Sequence, residues 1–176
     1  MHTFISGGCK NGKSYYAQHI ARAQGAPLYY VATMISTGAE DDARIARHIR
    51  DREGWGFETI ECGRNIVSCL DRADPNGSYL LDSVTALLAN EMFSDTGFDV
   101  NAGLRVADQL IEFLRRTKSA VLVSDYLYGD ARHFDSWTEN YRRALARVDR
   151  ALAAACDNVL EVSSGCVICH KGVRIV

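Results

Sequence analysis

The sequence predicts an α/β protein in which helices cover both faces of a mostly parallel β-sheet. Segments rich in β-forming residues alternate along the chain with segments whose apolar residues recur at helical spacing. Several strand segments are apolar throughout, such as Leu28–Ala32 and Ala120–Val123, which is typical of strands buried on both faces. A glycine-rich loop also joins the first strand directly to the first helix. Together these observations predict a three-layer sandwich.

The strand segments are recognised by their β-forming residues and by the turn residues that bound them. Pro27 introduces the second strand, and Ser164 with Gly165 separates the last two. The predicted strands are Thr3–Ser6, Leu28–Ala32, Gly56–Ile60, Ser78–Asp82, Ala120–Val123, Val159–Val162 and Cys166–Cys169.

The helical segments are recognised by apolar residues three or four positions apart. In the second of them, for example, Ile45 and Ile49 lie on one side. No repeat, low-complexity run or linker interrupts the alternation, so we predict a single domain over residues 1–176. The predicted helices are Lys13–Ala23, Glu40–Arg52, Val84–Phe93, Gly103–Arg116 and Trp137–Cys156.

The overall composition is that of an ordinary globular protein. The chain has 176 residues, of which 47% are hydrophobic, and a formal net charge of −2. That charge gives no reason to expect nucleic acid or an anionic membrane as the main partner. No apolar stretch approaches the roughly 18 residues that a membrane span needs, and the first residues do not resemble a signal peptide. The expected location is therefore the cytoplasm.

Six cysteines raise the alternatives of disulfides or a metal site. Cys166, Cys169 and His170 match the pattern of covalent haem attachment, but that chemistry occurs outside the cytoplasm and the segment has the pattern of a terminal strand. A zinc site on this pair would need two further ligands, and no second Cys-x-x-Cys supplies them. We therefore predict reduced thiols, some of them core residues.

The glycine-rich loop after the first strand matches the pattern G-x-x-x-x-G-K-[ST] at every fixed position. Glycines let the backbone wrap closely around phosphate oxygens, and the following helix directs its positive dipole end at them. We expect the lysine to reach the β- and γ-phosphates of ATP or GTP and the serine hydroxyl to ligate Mg²⁺. The residues are Gly7, Gly8, Cys9, Lys10, Asn11, Gly12, Lys13 and Ser14.

Such a loop needs a carboxylate at the end of a neighbouring strand to hold Mg²⁺. Asp82 ends the strand Ser78–Asp82, at the edge of the sheet where ligands bind in open α/β folds. We predict Asp82 as this ligand, beside Ser14. Asp125, which follows the strand Ala120–Val123 after one residue, is the alternative.

A histidine lies on a basic face of the second predicted helix. Arg44, His48 and Arg52 are four residues apart and share one side, with Arg47 beside them. Neighbouring guanidinium groups favour the neutral, nucleophilic imidazole and can hold triphosphate oxygens close to it. This is suitable for attack on phosphorus, although an exposed charged face with an incidental histidine is the alternative.

A family resemblance extends along nearly the whole chain. Its most specific part is the motif Arg-Ile-x-x-His, which ends at His48, together with the distance that separates this motif from the earlier Tyr-Val-Ala-Thr. The sequence resembles the bifunctional adenosylcobinamide kinase / adenosylcobinamide-phosphate guanylyltransferase family of cobalamin biosynthesis. The segments concerned are Ile5 to Gly8, Gly12 to Ser14, Tyr30 to Thr33, Asp42 to His48, Thr59 to Glu61, Leu80 to Thr85, Asn90, Arg147 to Ala153 and Ser164-Gly165.

The resemblance implies a RecA-like P-loop sheet, a homotrimer and two reactions. Members phosphorylate adenosylcobinamide and then transfer GMP from GTP to the new phosphate, releasing pyrophosphate. By resemblance, the GMP passes through a covalent intermediate on His48. The nucleotide is contacted by the residues that match Ala32, Thr33, Met34, Ile49, Arg50, Asp51, Arg52, Glu61 and Asp82.

Two departures from the family pattern concern the acceptor side. Asp125-Tyr126-Leu127-Tyr128-Gly129 stands where members usually have Asn-Glu-Val-Gly and then a loop with glycine and proline. Asp149 stands where the long helix usually has asparagine. The alternatives to the full function are therefore a member with one activity, a P-loop kinase of another metabolite, and a nucleotide-gated regulatory protein.

Overall fold

The structure is a computed structural model that describes residues 1–94, 97–129 and 131–173. Over these residues the α-helices are α1 (Lys13–Ala23), α2 (Ala39–Asp51), α3 (Val84–Met92), α4 (Ala102–Arg116) and α5 (Ser136–Ala155), with a 3₁₀ helix at Ile66–Arg72. The strands are β1 (His2–Gly7), β2 (Leu28–Ala32), β3 (Phe57–Glu61), β4 (Ser78–Asp82), β5 (Phe93–Ser94), β6 (Gly97–Phe98), β7 (Ser119–Asp125), β8 (Asn158–Ser163) and β9 (Cys166–Lys171).

Seven of the described strands form one sheet in the order β3-β2-β4-β7-β1-β8-β9. Every pairing in it is parallel except that of β9 with β8. The carboxyl ends of β1, β2, β4 and β7 consequently meet along one edge, where loops can build a site. The predicted mostly parallel α/β sheet is confirmed.

Alternate residues of the central strands enter two separate cores. Phe4, Leu81 and Leu122 point into the larger core beneath α3, α4 and α5, while Ile5 and Leu80 point into the smaller core beneath α1. This alternation follows from the two-residue period of a strand. Helices therefore cover both faces, and the three-layer prediction is confirmed.

The element boundaries differ from the predictions by one or two residues. β7 continues to Asp125, so this residue ends the strand. α2 ends at Asp51 and leaves Arg52 just beyond it. The 3₁₀ helix and the short β5–β6 pair were not predicted, since their residues lack a helical or strand period long enough to recognise.

Two further features are the state of the cysteines and the character of the helices. The six cysteines are free, and three of them are buried as core residues: Cys62, Cys69 and Cys156. No helix in the described ranges combines the length and the apolar character that crossing a membrane requires.

Candidate active site

The loop between β1 and α1 has the backbone geometry of a phosphate cradle. Gly12, which precedes α1, has φ 89°, and Lys10 has φ 59°, so the chain turns sharply through the left-handed region. A Cβ at Gly7 would collide with the carbonyl oxygen of Val162 on the neighbouring strand β8. Gly12, at the N-cap position, has no side chain that could cap the start of α1. The N–H groups of its first turn are thus available to an anion.

The predicted Mg²⁺ ligands lie in direct contact. The Ser14 hydroxyl donates a hydrogen bond to Asp82 Oδ2 at 3.0 Å, and Tyr30 donates to the same oxygen at 3.1 Å. Burial, followed by the charge of Asp82, raises the pKa of Tyr30, so this phenol remains a donor. A hydroxyl and a carboxylate oxygen are ligands that Mg²⁺ prefers, and both residues line the same cavity. The donor set therefore fits the ion.

The second strand-end carboxylate contacts the cradle lysine. Lys13 Nζ donates to Asp125 Oδ1 at 2.7 Å and to the carbonyl oxygen of Gly8 at 2.6 Å. The Lys13 side chain is 6% exposed and that of Asp125 is 17% exposed, so solvent screens this ion pair only weakly. Asp82 and Asp125 thus have different partners in the cradle.

One cavity of about 890 Å³ brings the P-loop and α2 together. Its size suits a nucleotide, since ligand cavities span roughly 300–1,000 Å³. His48, Arg44 and Arg47 line it from α2. Arg52 joins them with its guanidinium 4.0 Å from the centre of the Tyr30 ring and donates to Thr59 Oγ1 at 3.0 Å. A phosphate chain on the P-loop and the imidazole would share this cavity.

Most of the residues predicted to bind nucleotide line this cavity, but Gly7 and Gly8 at the start of the loop are not among its lining residues. Thr33 does not line it, because it is fully buried and its hydroxyl donates to the carbonyl oxygen of Ser83. Ile49 and Arg50 do not line the cavity either. Successive helical residues point about 100° apart, and the face of α2 that lines the cavity carries His48 and Asp51. Those that line the cavity are Cys9, Lys10, Asn11, Gly12, Lys13, Ser14, Ala32, Met34, His48, Asp51, Arg52, Glu61 and Asp82.

Comparison with known proteins decides the family. The model of the family described as cobinamide kinase / cobinamide phosphate guanyltransferase matches residues 3–169. The bifunctional adenosylcobalamin biosynthesis protein CobU of Salmonella typhimurium (strain LT2) is 29% identical, over 94% of this chain and 97% of the relative. The chain belongs to the cobinamide kinase / cobinamide phosphate guanyltransferase family. It is therefore an enzyme of a family that joins kinase and nucleotidyltransferase activities.

Solved structures support the fold of this family member. A Pyrococcus horikoshii OT3 protein, PH0250, superposes with a TM-score of 0.59 at 8% identity, over 99% of this chain and 87% of that one. An ATPase of the type III secretion system of pathogenic bacteria gives 0.54 at 12% identity, over 92% and 51%. At such low identities the likeness concerns the fold alone, which is that of the P-loop NTPases.

The aromatic residues of this cavity were not predicted from the sequence. Tyr15, Tyr30 and Trp55 line it, and the rings of Tyr15 and Trp55 both contact the His19 ring, at 4.4 and 4.8 Å between centroids. Tyr30 could have been predicted near the site, because a tyrosine in a buried strand needs a hydrogen-bond partner for its hydroxyl. Trp55 follows a glycine turn after α2, and no local pattern places it in the cavity.

The two departures from the family pattern contact each other. The Tyr128 hydroxyl donates to Asp149 Oδ2 at 2.9 Å, while Asp149 Oδ1 is buried without a partner among the described residues. Burial raises the pKa of Asp149 to about 7, the side chains of Ser124 and Tyr128 oppose this, and the charge of Asp125 adds to it. The departures therefore form one local unit behind the β7 side of the cavity.

Proposed function

We propose that the protein phosphorylates the hydroxyl of the aminopropanol arm of adenosylcobinamide and then transfers GMP from GTP to that phosphate. The products are adenosylcobinamide-GDP and pyrophosphate. The observation that supports this proposal most directly is that P-loop residues and His48 line one cavity. Family membership supplies the reaction class, and the cavity supplies a reason why both reactions can use one nucleotide site, each with its own nucleoside triphosphate.

In the kinase step the acceptor oxygen attacks the γ-phosphorus and the bond to the β,γ-bridging oxygen breaks. Lys13 and the amides that begin α1 hold the phosphates and offset charge on the transferring group. Ser14 and Asp82 would hold Mg²⁺, which when bound neutralises phosphate charge. For this to occur, the Lys13 ammonium must exchange part of its contact with Asp125 and Gly8 for phosphate oxygens.

In the guanylyl step an imidazole nitrogen of His48 attacks the α-phosphorus and pyrophosphate leaves. A phosphate oxygen of the phosphorylated acceptor then attacks the same phosphorus, the P–N bond breaks and the imidazole is regenerated. Arg44, Arg47 and Arg52 line the cavity and would hold phosphate oxygens during both displacements. We propose that α2 moves toward the P-loop for this step, because it contains no buried residue and is followed by Gly54 and Gly56 at positive φ.

GTP is the proposed donor for guanylyl transfer, and either ATP or GTP serves the kinase step. A homotrimer in the cytoplasm is proposed on the family resemblance. The nucleotide contacts of Thr33, Ile49 and Arg50 are proposed on the same basis, through main-chain atoms or after movement of α2.

The decisive experiment uses GTP labelled at the α-phosphate. We expect acid-labile label on the wild-type protein and none on His48→Asn. His170→Asn is the matched control, since His170 is an exposed imidazole on β9 that contacts Glu161 rather than the cavity. Label that persists on His48→Asn would refute the covalent intermediate on this residue.

A member with a single activity is the second candidate, favoured by the Tyr128–Asp149 unit beside the cavity. Product analysis with adenosylcobinamide, ATP and GTP distinguishes the candidates. Adenosylcobinamide phosphate as the final product, despite GTP, would indicate the kinase alone. Label on His48 without conversion of adenosylcobinamide would indicate the transferase alone.

A further inference from the structure

Tyr30 is a buried phenol that lines the nucleotide cavity. It lies on β2, is 4% exposed, and is followed two residues later by Ala32, which also lines the cavity. The register partner of Tyr30 on β4 is Leu80, and that of Ala32 is Asp82. Residues two apart in a strand share a face of the sheet, so the side chains of Tyr30 and Asp82 lie on the same face. The phenol therefore extends along this face toward the carboxylate.

The Tyr30 hydroxyl holds the predicted metal ligand. It donates to Asp82 Oδ2 at 3.1 Å, and the Ser14 hydroxyl donates to the same oxygen at 3.0 Å. Hydrogen bonds to a charged acceptor are stronger than those between neutral groups, so together they set the rotation of the carboxylate. Ser14 lies at the start of α1 beside the nucleotide, whereas Tyr30 is anchored in the sheet. Tyr30 is therefore the more rigid of the two donors.

The ring of Tyr30 holds Arg52, the residue that follows α2. The guanidinium lies 4.0 Å from the ring centroid, and Arg52 donates to Thr59 Oγ1 on β3 at 3.0 Å. Phe57 packs edge-on against the same ring, with 6.4 Å between centroids. Arg52 is 8% exposed, and an aromatic face attracts a cation most strongly away from water. Tyr30 thus contacts the P-loop side of the cavity through Asp82 and the α2 side through Arg52.

We propose that Tyr30 is a positioning residue: its hydroxyl fixes Asp82 for Mg²⁺, and its ring fixes Arg52 for phosphate oxygens of the nucleotide. This inference rests on the function proposed above and names the residue that joins the two sides of the nucleotide site. Tyr30 acts through Asp82 and Arg52 and takes no part in bond making. Groups that bind a metal ion or phosphate act at full strength only when neighbouring residues hold their orientation.

The hydroxyl and the ring can be tested separately. Tyr30→Phe removes the donor but retains the ring, so it should disturb Asp82 and leave Arg52 in place. Tyr30→Leu removes both contacts. Tyr29→Phe is the matched control, because Tyr29 is the buried neighbour on β2 that faces the larger core, and its hydroxyl accepts from the backbone N–H of Asp74. Urea denaturation shows whether each variant is folded.

The main measurement is the affinity for a GTP analogue with a methylene group between the α- and β-phosphates, which cannot guanylylate His48. Calorimetric titrations with Mg²⁺ and with EDTA give two affinities, and their ratio reports the contribution of the ion without any turnover. We expect Tyr30→Phe to lower this ratio about tenfold, because Asp82 loses a charge-assisted hydrogen bond. Its affinity with EDTA should stay within about twofold of the wild type, and Tyr29→Phe should leave the ratio unchanged.

Further variants separate positioning from general loss of structure. In an Asp82→Asn background, Tyr30→Phe should lower the ratio no further, because the group through which it acts is gone. Tyr30→Leu should weaken binding with EDTA about fivefold more than Tyr30→Phe does, because Arg52 loses its platform. In kinase assays Tyr30→Phe should raise the half-saturating Mg²⁺ concentration about tenfold, with kcat at saturating Mg²⁺ within about threefold of the wild type.

Defined results would overturn each part of the assignment. A ratio for Tyr30→Phe within about twofold of the wild type excludes positioning of Asp82, and equal losses with Mg²⁺ and with EDTA indicate a merely structural role. Equal binding of Tyr30→Leu and Tyr30→Phe with EDTA excludes positioning of Arg52. Wild-type protein whose binding depends on Mg²⁺ but that leaves adenosylcobinamide unchanged refutes the proposed substrate and leaves the role of Tyr30 standing.

Discussion

The two walls of the nucleotide cavity differ in how far their residues are buried and held by partners. On the P-loop wall, Lys13 is 5% exposed, and Asp82 and Asp125 both have partners in the cradle. On the α2 wall no residue of the helix is buried, and Ile49 is 52% exposed. Ile45 and Ile49 lie on one side of α2, as their spacing predicted, but neither belongs to the two cores of the described residues.

This difference has a consequence for catalysis. A phosphate cradle must be preorganised, since its donors stabilise charge only if they need no rearrangement. A helix held by few apolar contacts can move at little energetic cost. An enzyme in which the γ-phosphorus is attacked in one step and the α-phosphorus of a second triphosphate in the next benefits from both features: a fixed cradle, and a nucleophile that approaches and withdraws.

The largest expected effect is on the P-loop wall. Lys13→Met preserves the length of the buried stem but removes the charge, so both half-reactions should fall about 1,000-fold. The measurements are kcat/KM for phosphorylation and the rate of His48 labelling. Lys118→Met, at an exposed lysine before β7, is the control and should leave both unchanged. Loss of only one activity would contradict a cradle common to the two reactions.

The second prediction concerns the buried carboxylate of Asp149, behind the β7 side of the cavity. The pKa of Asp149 is about 7 in the folded protein against a reference value of 3.8, so ionisation of this group opposes folding. The cost is absent below about pH 4, grows as the pH rises and is complete above about pH 7. Asp149→Asn should match the wild type near pH 4 and have a free energy of unfolding about 4 kcal/mol higher at pH 8.

Urea denaturation at several pH values measures this difference. Asp108→Asn, at an exposed position of α4, should change stability by less than about 0.5 kcal/mol at every pH. If the stability difference between Asp149→Asn and the wild type does not grow from pH 4 to pH 8, ionisation of Asp149 does not destabilise the folded protein.

The smallest expected effect is on the α2 wall. Gly54 and Gly56 have φ of 76° and 84° with open space at the Cβ position, so alanine restricts the backbone without a clash. The double variant should slow labelling of His48 about fivefold and change phosphorylation less than about twofold. Gly25→Ala introduces similar strain after α1, where φ is 101°, and should affect neither step. Equal slowing of both steps by the double variant would argue against movement of α2 alone.

The fold was largely predictable because its signals are local. The strands and helices around the sheet follow from hydrophobic period and turn residues, and their boundaries were within two residues. The 3₁₀ helix was not predictable, since Ile66, Cys69 and Leu70 are ordered by burial against the larger core. The same applies to Trp55, which reaches the cavity only through tertiary packing.

The candidate site was predictable in part. The P-loop could be recognised because the motif, its preceding strand and its following helix are contiguous, and Asp82 followed from its strand end. The sequence favoured Asp82 over Asp125 as the Mg²⁺ ligand, but it could not predict which side chains each carboxylate contacts. Their partners depend on which strand lies beside β1.

By itself the sequence determined a phosphate cradle at residues 7–14 and a histidine among arginines, because each is a short-range pattern fixed by the geometry of one loop or one helix. Only the tertiary structure decided that Lys13 pairs with Asp125, that Ser14 pairs with Asp82, and that His48 lines the same cavity. These relations join residues distant in the chain, and the order of strands in the sheet determines them.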